Sequence, residues 1–141
     1  MLNIDTAESA FRDMLYPGES CSGIIYCVFK PTGFFAGTTF NRINPGYAAV
    51  TSEERLLTIQ TSSTGYFLGK SSSAAYKIDS AEKLKVRKNI FGQYVFDCVF
   101  PVNGKKVKVK FQAAKKVLGS EYSMQEENLE EILSVLTRYE I

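Results

Sequence analysis

The feature that most constrains the fold is an alternation of apolar and charged residues between positions 82 and 112. In three consecutive runs, apolar residues take every second position and the residues between them are mostly Lys, Arg or Asp. Successive side chains of a β-strand point to opposite faces, so each run predicts a strand with one buried face. Asn103-Gly104 separates the last two runs and favours a type I′ hairpin turn. The stretch therefore predicts a three-stranded antiparallel meander.

The chain before this meander follows the same plan of short β runs separated by turn residues. Strands are predicted at 22–30, 34–40, 47–51, 55–61 and 66–68, and residues 41–46 and 69–73 are predicted to be loops. The ten Phe and eight Tyr of the chain also favour strands. Many short strands at this spacing predict a barrel or sandwich, because closure leaves few strand edges unpaired.

Helical patterns flank the strands on both sides. Asp5 precedes Glu8 by three residues, as in a capping box, and an apolar face follows at helical spacing. Ser123 and Glu126 have the same spacing and predict that Ser123 caps a second, amphipathic helix. We expect the apolar stripe of this helix to dock on the open end of the barrel. The stripe consists of Leu129, Ile132, Leu133, Leu136 and Tyr139.

One domain of 141 residues accommodates these elements, since no linker or internal repeat divides the chain. Residues 1–16 are its N-terminal helical segment, 20–112 its β-barrel and 123–139 its C-terminal helix. The predicted fold class is mainly β (α+β), a small antiparallel barrel or sandwich of about seven strands. No secretory signal is evident and the three cysteines form no CxxC pair, so we expect a cytoplasmic protein with reduced thiols.

Residue types that commonly carry catalysis or bind metals are scarce. The sequence has no His, which removes the commonest general base and metal ligand. Cys98 is expected in the core, and Cys21 and Cys27 on one shared strand face. Glu53 and Glu54 fall in a predicted turn and are expected to be solvated. We therefore expect a non-catalytic protein that uses neither a cofactor nor a metal.

Basic residues concentrate in the meander, where Asp97 is the only acid between positions 83 and 116. Strand alternation predicts that basic residues of the first and third strands project from the same outer face. This candidate anionic-partner face consists of Lys83, Lys85, Arg87, Lys106, Lys108 and Lys110. Like charges across neighbouring strands repel, so such a face either stays solvated or meets an anion.

The order of elements and several short motifs resemble bacterial pleckstrin-homology-like (PH-like) and GRAM-like domains. Leu15-Tyr16-Pro17-Gly18-Glu19 is similar to their L-x-x-G-E opening. Gly46-Tyr47-Ala48-Ala49-Val50-Thr51 with Arg55-Leu56-Leu57 is similar to their G-x-x-x-x-T-x-x-R-L, with two extra residues before the Arg. Tyr76-Lys77-Ile78 and Lys88-Asn89-Ile90-Phe91-Gly92 match the later part of the pattern. The resemblance runs from residue 15 to the C-terminus and implies a PH-like barrel with a C-terminal capping helix.

The resemblance implies no phosphoinositide site. Lipid-binding PH domains carry a basic cluster in their first hairpin, whereas this sequence has only Lys30 there. We expect instead a binding module that recognises a protein or peptide partner, or a second copy of itself, through a sheet edge or the basic face. In PH-like folds the groove between a strand edge and the C-terminal helix accepts an extended peptide.

Two alternative functions stay open at this point. One is peripheral binding to anionic lipid through the Lys-rich strands. The other is binding of an apolar ligand inside the barrel, where Phe and Tyr would line a cavity. Nucleic acid is not expected as a partner, because the formal net charge is only +2 and aromatic residues do not interleave with the basic ones on the wet face.

Overall fold

A computed structural model describes residues 4–30, 44–61, 73–116 and 122–140, which contain seven β-strands and two α-helices. The strands are β1 (Cys21–Phe29), β2 (Asn44–Thr51), β3 (Arg55–Gln60), β4 (Ser73–Lys77), β5 (Lys83–Lys88), β6 (Tyr94–Val102) and β7 (Lys105–Ala113). Helix α1 (Ile4–Met14) precedes them, and α2 (Gln125–Leu136) follows. Short 3-10 helices lie at Ile78–Ser80 and Thr137–Tyr139.

The seven described strands form one antiparallel sheet in the order β4-β3-β2-β1-β7-β6-β5. We call β1–β4 the first half-sheet and β5–β7 the second. The two are joined by β1 and β7 through the pairs Val28–Gln112 and Phe29–Phe111. The predicted meander is confirmed as the second half-sheet. Its turn residues Asn103 and Gly104 have φ values of 51° and 78°, as a type I′ turn requires.

Several predicted boundaries differ from the structure. β2 begins at Asn44, so the prediction of a loop at residues 44–46 is wrong. Gly46 permits this strand, since an added Cβ would lie 2.2 Å from the Ile59 carbonyl oxygen and 2.6 Å from the Phe29 ring. The predicted strands 34–40 and 66–68 lie outside the described residues. Of the predicted loop 69–73 only Ser73 is described, and it begins β4.

Both predicted helix caps are wrong. Helix α1 begins at Ile4, so Asp5 lies inside its first turn, where a carboxylate still favours the helix N-terminus. Met124 takes the N-cap position of α2 without a side-chain hydrogen bond, and Ser123 precedes it. The start of α2 is fixed instead by Gln125, whose side chain binds the backbone of β1.

Two apolar clusters lie on opposite faces of the first half-sheet. The inner cluster lies between the two half-sheets and α2, and its rings pack directly on one another. Phe96 stacks on Phe111 at 4.6 Å between ring centroids, and Tyr76 stacks on Phe100 at 4.7 Å. The outer cluster lies between α1 and the first half-sheet and consists of Ala7, Phe11, Tyr47, Ala49, Leu57 and Ile59. β2 and β3 are therefore buried on both faces, which explains their nearly continuous apolar sequences.

Helix α2 lies along β1 where β1 is no longer paired with β7. The Gln125 side chain accepts the N–H of Tyr26 and donates to its carbonyl, both at 2.9 Å. Asn128 and Tyr122 donate to the carbonyl of Ile24 at 3.0 and 2.7 Å. These side chains satisfy backbone groups that a neighbouring strand would otherwise pair. In the predicted stripe, Leu129, Ile132 and Leu136 are buried in the inner cluster, and Leu133 and Tyr139 pack partly buried against it.

A bulge in β1 separates two cysteines that were expected to share a face. The register with β2 shifts between Ser22 and Ile25, and Gly23 there has a φ of +64°. A shift of one residue moves all following side chains to the other face. Cys27 therefore lies in the inner cluster, whereas Cys21 packs against the outer one, and the prediction of a shared face is wrong.

Candidate functional site

The strand register brings the predicted basic residues together on the outer face of the second half-sheet. Residues directly opposite one another on neighbouring strands share a face. The cross-strand rows are Lys83–Val99–Lys108, Lys85–Asp97–Lys110 and Arg87–Val95–Gln112, and Lys106 lies opposite Pro101. We call Lys83, Lys85, Arg87, Lys106, Lys108 and Lys110 the basic face.

Carboxylates neutralise only part of the basic face. Lys83 pairs with Asp97 at 3.0 Å, and Lys106 pairs with Glu82 at 3.5 Å. Asp97 also lies directly opposite Lys85 and Lys110, although neither is within ion-pair distance. Within the described ranges, four residues of the face form no ion pair, namely Lys85, Arg87, Lys108 and Lys110. The face therefore has an excess of positive charge in contact with water.

The β5–β6 hairpin carries two highly exposed apolar side chains at its end. Ile90 is 93% exposed and Phe91 81%, the highest values among the large hydrophobic residues that the structure describes. Asn89 organises the turn, because its Oδ1 accepts the N–H groups of Phe91 and Gln93 at 3.0 Å each. Gly92 has a φ of +80°, a backbone conformation that favours glycine. We call residues 89–93 the hairpin tip.

A buried ion pair connects the segment after α1 with β2 and β3. The Glu19 carboxylate receives two hydrogen bonds from Arg55, with Oε1 2.5 Å from Nη2 and Oε2 2.9 Å from Nε. The Thr51 hydroxyl donates to Oε2 at 2.5 Å. The Glu19 side chain is 0% exposed and that of Arg55 7%. A bidentate pair of this kind is among the stronger polar contacts in proteins.

The surroundings of this ion pair keep both charges in place. Arg55 also donates to the Met14 carbonyl at 2.9 Å, and its guanidinium carbon lies 3.9 Å from the centre of the Tyr16 ring. The hydrogen bonds from Arg55, with smaller contributions from Thr51 and Tyr16, outweigh burial and lower the pKa of Glu19 to about 2. The bond to Glu19 also raises the pKa of Arg55. The network is therefore fully charged at neutral pH and acts as a structural tie.

Glu19, Thr51 and Arg55 belong to the short motifs of the sequence, but the motifs do not predict a contact between them. Glu19 and Arg55 are 36 residues apart, and local periodicity carries no information about such a pair. The exposure of Ile90 and Phe91 was also missed. The only sequence signal for this exposure is that the two apolar residues lie between Asn89 and Gly92, which are of residue types that favour turns.

Thiols and carboxylates elsewhere give little support for catalysis. Burial raises the pKa of Cys21 to about 11, that of Cys98 to about 12 and that of Cys27 well above its ordinary value. Thiolates are the reactive form, and these pKa values keep them scarce at neutral pH. Glu54, predicted to be solvated, accepts a hydrogen bond from Tyr139 and lies 3.9 Å from Arg138. In the described part of the chain, no three His, Cys, Asp or Glu residues are grouped as a metal site.

The two edges of the sheet differ in how they are covered. On β5, the Val86 N–H donates to the Glu140 carboxylate at 3.1 Å, so the C-terminal segment already binds this edge. A groove of about 350 Å³ lies between β4 and the end of β6. The groove is lined by Ala75, Tyr76, Lys77, Ser80, Phe100, Pro101, Val102 and Asn103. Because the Ile78 N–H bonds back toward β3, strand alternation directs the Ala75 N–H away from β3, toward the edge of β4 that no described strand pairs.

Neither a protein-family model nor a curated protein sequence matches the chain. Among solved structures, the hSac2 domain from the human phosphoinositide phosphatase Sac2 is similar, with a TM-score of 0.56 and 9% sequence identity. The similarity covers 96% of this chain and 79% of that chain, and at this identity it concerns the fold alone. The predicted fold class, a mainly antiparallel seven-stranded architecture with an N-terminal and a C-terminal helix, is confirmed. No helix among the described residues is long and apolar enough to cross a membrane.

Proposed function

We propose that the chain is a non-catalytic binding module that attaches to an anionic membrane surface through the basic face. The observation that carries this proposal is the set of four basic side chains on one outer sheet face that form no ion pair with any described residue. Each basic residue near an anionic membrane contributes about 1 kcal/mol of attraction. Four such residues supply roughly 4 kcal/mol before screening by salt, which is enough for reversible attachment.

A membrane fits this face better than an acidic protein segment does. The outward side chains are mostly long and flexible, so the face offers charge over an area but little fixed shape. A fluid anionic surface needs only charge, whereas a specific peptide also needs pockets for alternate side chains. The similar hSac2 domain belongs to a phosphoinositide phosphatase, and phosphoinositides are anionic lipids, which agrees with the proposal.

The proposal extends to the origin and location of the protein. We propose that the chain is related to bacterial PH-like and GRAM-like domains, and that it acts as a single domain in the cytoplasm. Support for the relationship comes from the motif residues, because Glu19, Thr51 and Arg55 meet in one buried network. Gly46, which opens the second motif, lies where a Cβ has no room. The motif therefore matches positions that this fold constrains physically.

Co-sedimentation with vesicles tests the membrane proposal. The wild-type chain is expected to sediment with phosphatidylcholine vesicles only when they contain phosphatidylserine, and less at physiological than at low salt. The double variant Arg87→Glu with Lys108→Glu is expected to lose this binding. Arg12→Glu with Lys77→Glu is the matched control, since it changes the net charge equally at exposed positions on α1 and β4. Failure of the wild type to bind at low salt, or equal loss in both double variants, would contradict the proposal.

A second candidate function is recognition of an extended peptide, which is favoured by the edge of β4, where none of the described strands is paired. An added strand would bond to the outward N–H of Ala75 and place side chains in the groove beside Tyr76 and Phe100. Ala75→Pro removes this N–H without removing a bond to β3, and proline is tolerated on edge strands. Selection from a displayed library of random peptides tests this candidate. Enriched peptides should not bind the Ala75→Pro variant, and unchanged binding by that variant would exclude strand addition at β4.

For the third predicted function, an apolar ligand inside the barrel, the described interior gives no support. The rings that would line such a cavity are buried and stack on one another, as Phe96 does on Phe111. Native mass spectrometry of the purified protein addresses this alternative directly. A co-purifying apolar compound would revive it.

A further inference from the structure

We infer that the hairpin tip inserts into the membrane, with Ile90 and Phe91 entering the interface between lipid headgroups and acyl chains. The inference rests on the proposed membrane attachment and names the part of the chain that anchors it. Ile90 and Phe91 are neighbours, are 93% and 81% exposed, and belong to neither described apolar cluster. Two adjacent apolar side chains in water favour burial against another apolar phase.

The backbone of the tip is already ordered by hydrogen bonds. Besides the two bonds accepted by the Asn89 side chain, the Gly92 N–H donates to the Asn89 carbonyl at 3.1 Å. The Asn89 N–H donates to the Gln93 carbonyl at 2.9 Å, and Gln112 on β7 donates to the Gln93 side chain at 2.8 Å. Insertion therefore costs little conformational entropy of the backbone. The bonded N–H groups also keep their hydrogen bonds when they enter the interface.

The charges around the tip fit the headgroup region of an anionic membrane. Arg87 lies on the outer face of the hairpin, and Lys88 lies on the other face with its Nζ 5.6 Å from the centre of the Tyr94 ring. Both residues are within about 10 Å of Ile90 along the strand. An apolar segment that enters the interface by about 5–10 Å brings both cations to the level of the headgroups.

Acidic groups nearby do not cancel this charge at the tip. Residues 88–93 include no Asp or Glu. The Glu140 carboxylate accepts a hydrogen bond from the Val86 N–H. Asp97 lies farther from the tip, where it pairs with Lys83. The tip therefore combines an apolar end with a positive base. This combination favours an anionic lipid surface over an apolar pocket on a protein, which would not require the flanking cations.

A tryptophan placed at the tip tests insertion directly. The chain contains no Trp, so Phe91→Trp creates a single fluorescent reporter. With phosphatidylserine-containing vesicles, its emission is expected to shift to shorter wavelength and to be quenched by lipids brominated near the headgroup end of the acyl chain. Val102→Trp is the control, since Val102 lies at the opposite end of β6, about 26 Å along the strand from Tyr94. Its emission is expected to stay unchanged.

Each contrary outcome has a distinct meaning. If the Phe91→Trp chain sediments with the vesicles but its emission does not shift, insertion is wrong and surface attachment stands. If the wild-type chain does not sediment at all, both the attachment and the insertion are wrong. A shift that depends on protein concentration without vesicles shows that the tip is buried against a second copy, which also overturns the inference.

A double variant separates insertion from charge attraction. Ile90→Ser with Phe91→Ser keeps the basic face, so binding to anionic vesicles at low salt is expected to persist. At physiological salt, where screening weakens the electrostatic attraction, binding is expected to fall roughly tenfold or more. Unchanged binding at physiological salt would overturn the inference. The Arg87→Glu with Lys108→Glu variant, by contrast, is expected to lose binding at both salt concentrations.

Discussion

The two half-sheets share an antiparallel plan but differ in what covers their outer faces. On the first half-sheet, helix α1 buries Tyr47, Ala49, Leu57 and Ile59. On the second, five of the six residues of the basic face are exposed, Lys110 is half-buried, and Val95 in the row of Arg87 is buried. Helix α1 therefore adds a second layer of core to the first half-sheet, and neither described α-helix covers the outer face of the second.

The two half-sheets also use charge differently. In the first, Arg55 is buried and bonded to Glu19, Thr51 lies in the same network, and the charges are fully compensated. In the second, Arg87 and Lys108 are exposed and form no ion pair with any described residue. Compensated, buried charge holds the fold together, whereas uncompensated, exposed charge is available to a partner.

The largest difference in stability is expected between a substitution in the helix that covers the first half-sheet and one at the hairpin tip of the second. Phe11→Ala, on the buried face of α1, is expected to lower the free energy of unfolding by about 3–5 kcal/mol, because the Phe11 side chain is fully buried. Phe91→Ala, at the exposed tip, is expected to change it by no more than about 0.5 kcal/mol. Urea denaturation followed by circular dichroism measures both. Similar losses in the two variants would show that the tip packs against the fold.

A smaller but still large loss is expected when the buried ion pair is broken. Arg55→Met leaves the Glu19 carboxylate buried without its main partner, and is expected to cost about 3 kcal/mol. Arg138→Met is the control, since Arg138 is 60% exposed and 3.9 Å from Glu54, and should cost less than about 1 kcal/mol. The same denaturation measurement applies. An Arg55→Met chain as stable as the control would refute the structural role of the network.

The pH dependence of stability tests the charge state of Glu19. Its pKa is about 2 in the folded chain against 4.5 without the network, so the unfolded chain binds more protons between these values. The stabilisation is therefore present above pH 4.5 and is lost as the pH falls toward 2, by on the order of 3 kcal/mol. Thermal unfolding across this range should show the decline in the wild type and less of it in Glu19→Gln. An equal decline in both would mean that other groups cause it.

The two half-sheets also differ in how much of their structure could be predicted from the sequence. The second half-sheet was predicted strand by strand, because its alternation and its Asn103-Gly104 turn are local signals. In the first half-sheet, the decisive contacts join distant residues, such as Glu19 with Arg55 and Phe11 of α1 with the strand residues of the outer cluster. The bulge at Gly23 reversed the expected side of one cysteine, because a single inserted residue has no signature in the hydrophobic pattern.

At the candidate site, the alternation of residues along the predicted strands identified the six residues of the basic face, and the strand register places them together. It did not identify their ion pairs with Asp97 and Glu82, which depend on side-chain geometry. Nor did it indicate that Ile90 and Phe91 project from an ordered turn. Apolar residues in a turn region usually predict a short strand or a core contact, and only the hydrogen bonds of Asn89 distinguish this case.

Membrane attachment through the basic face and the hairpin tip is tested by the NMR spectrum of the chain with anionic nanodiscs that carry a spin label at the lipid headgroup. We expect broadening of amide signals to be confined to the hairpin tip and the outer rows of β5–β7, and to be absent from α1. Broadening centred on α1 or on the edge of β4, or none under conditions where the chain co-sediments with anionic vesicles, would contradict it.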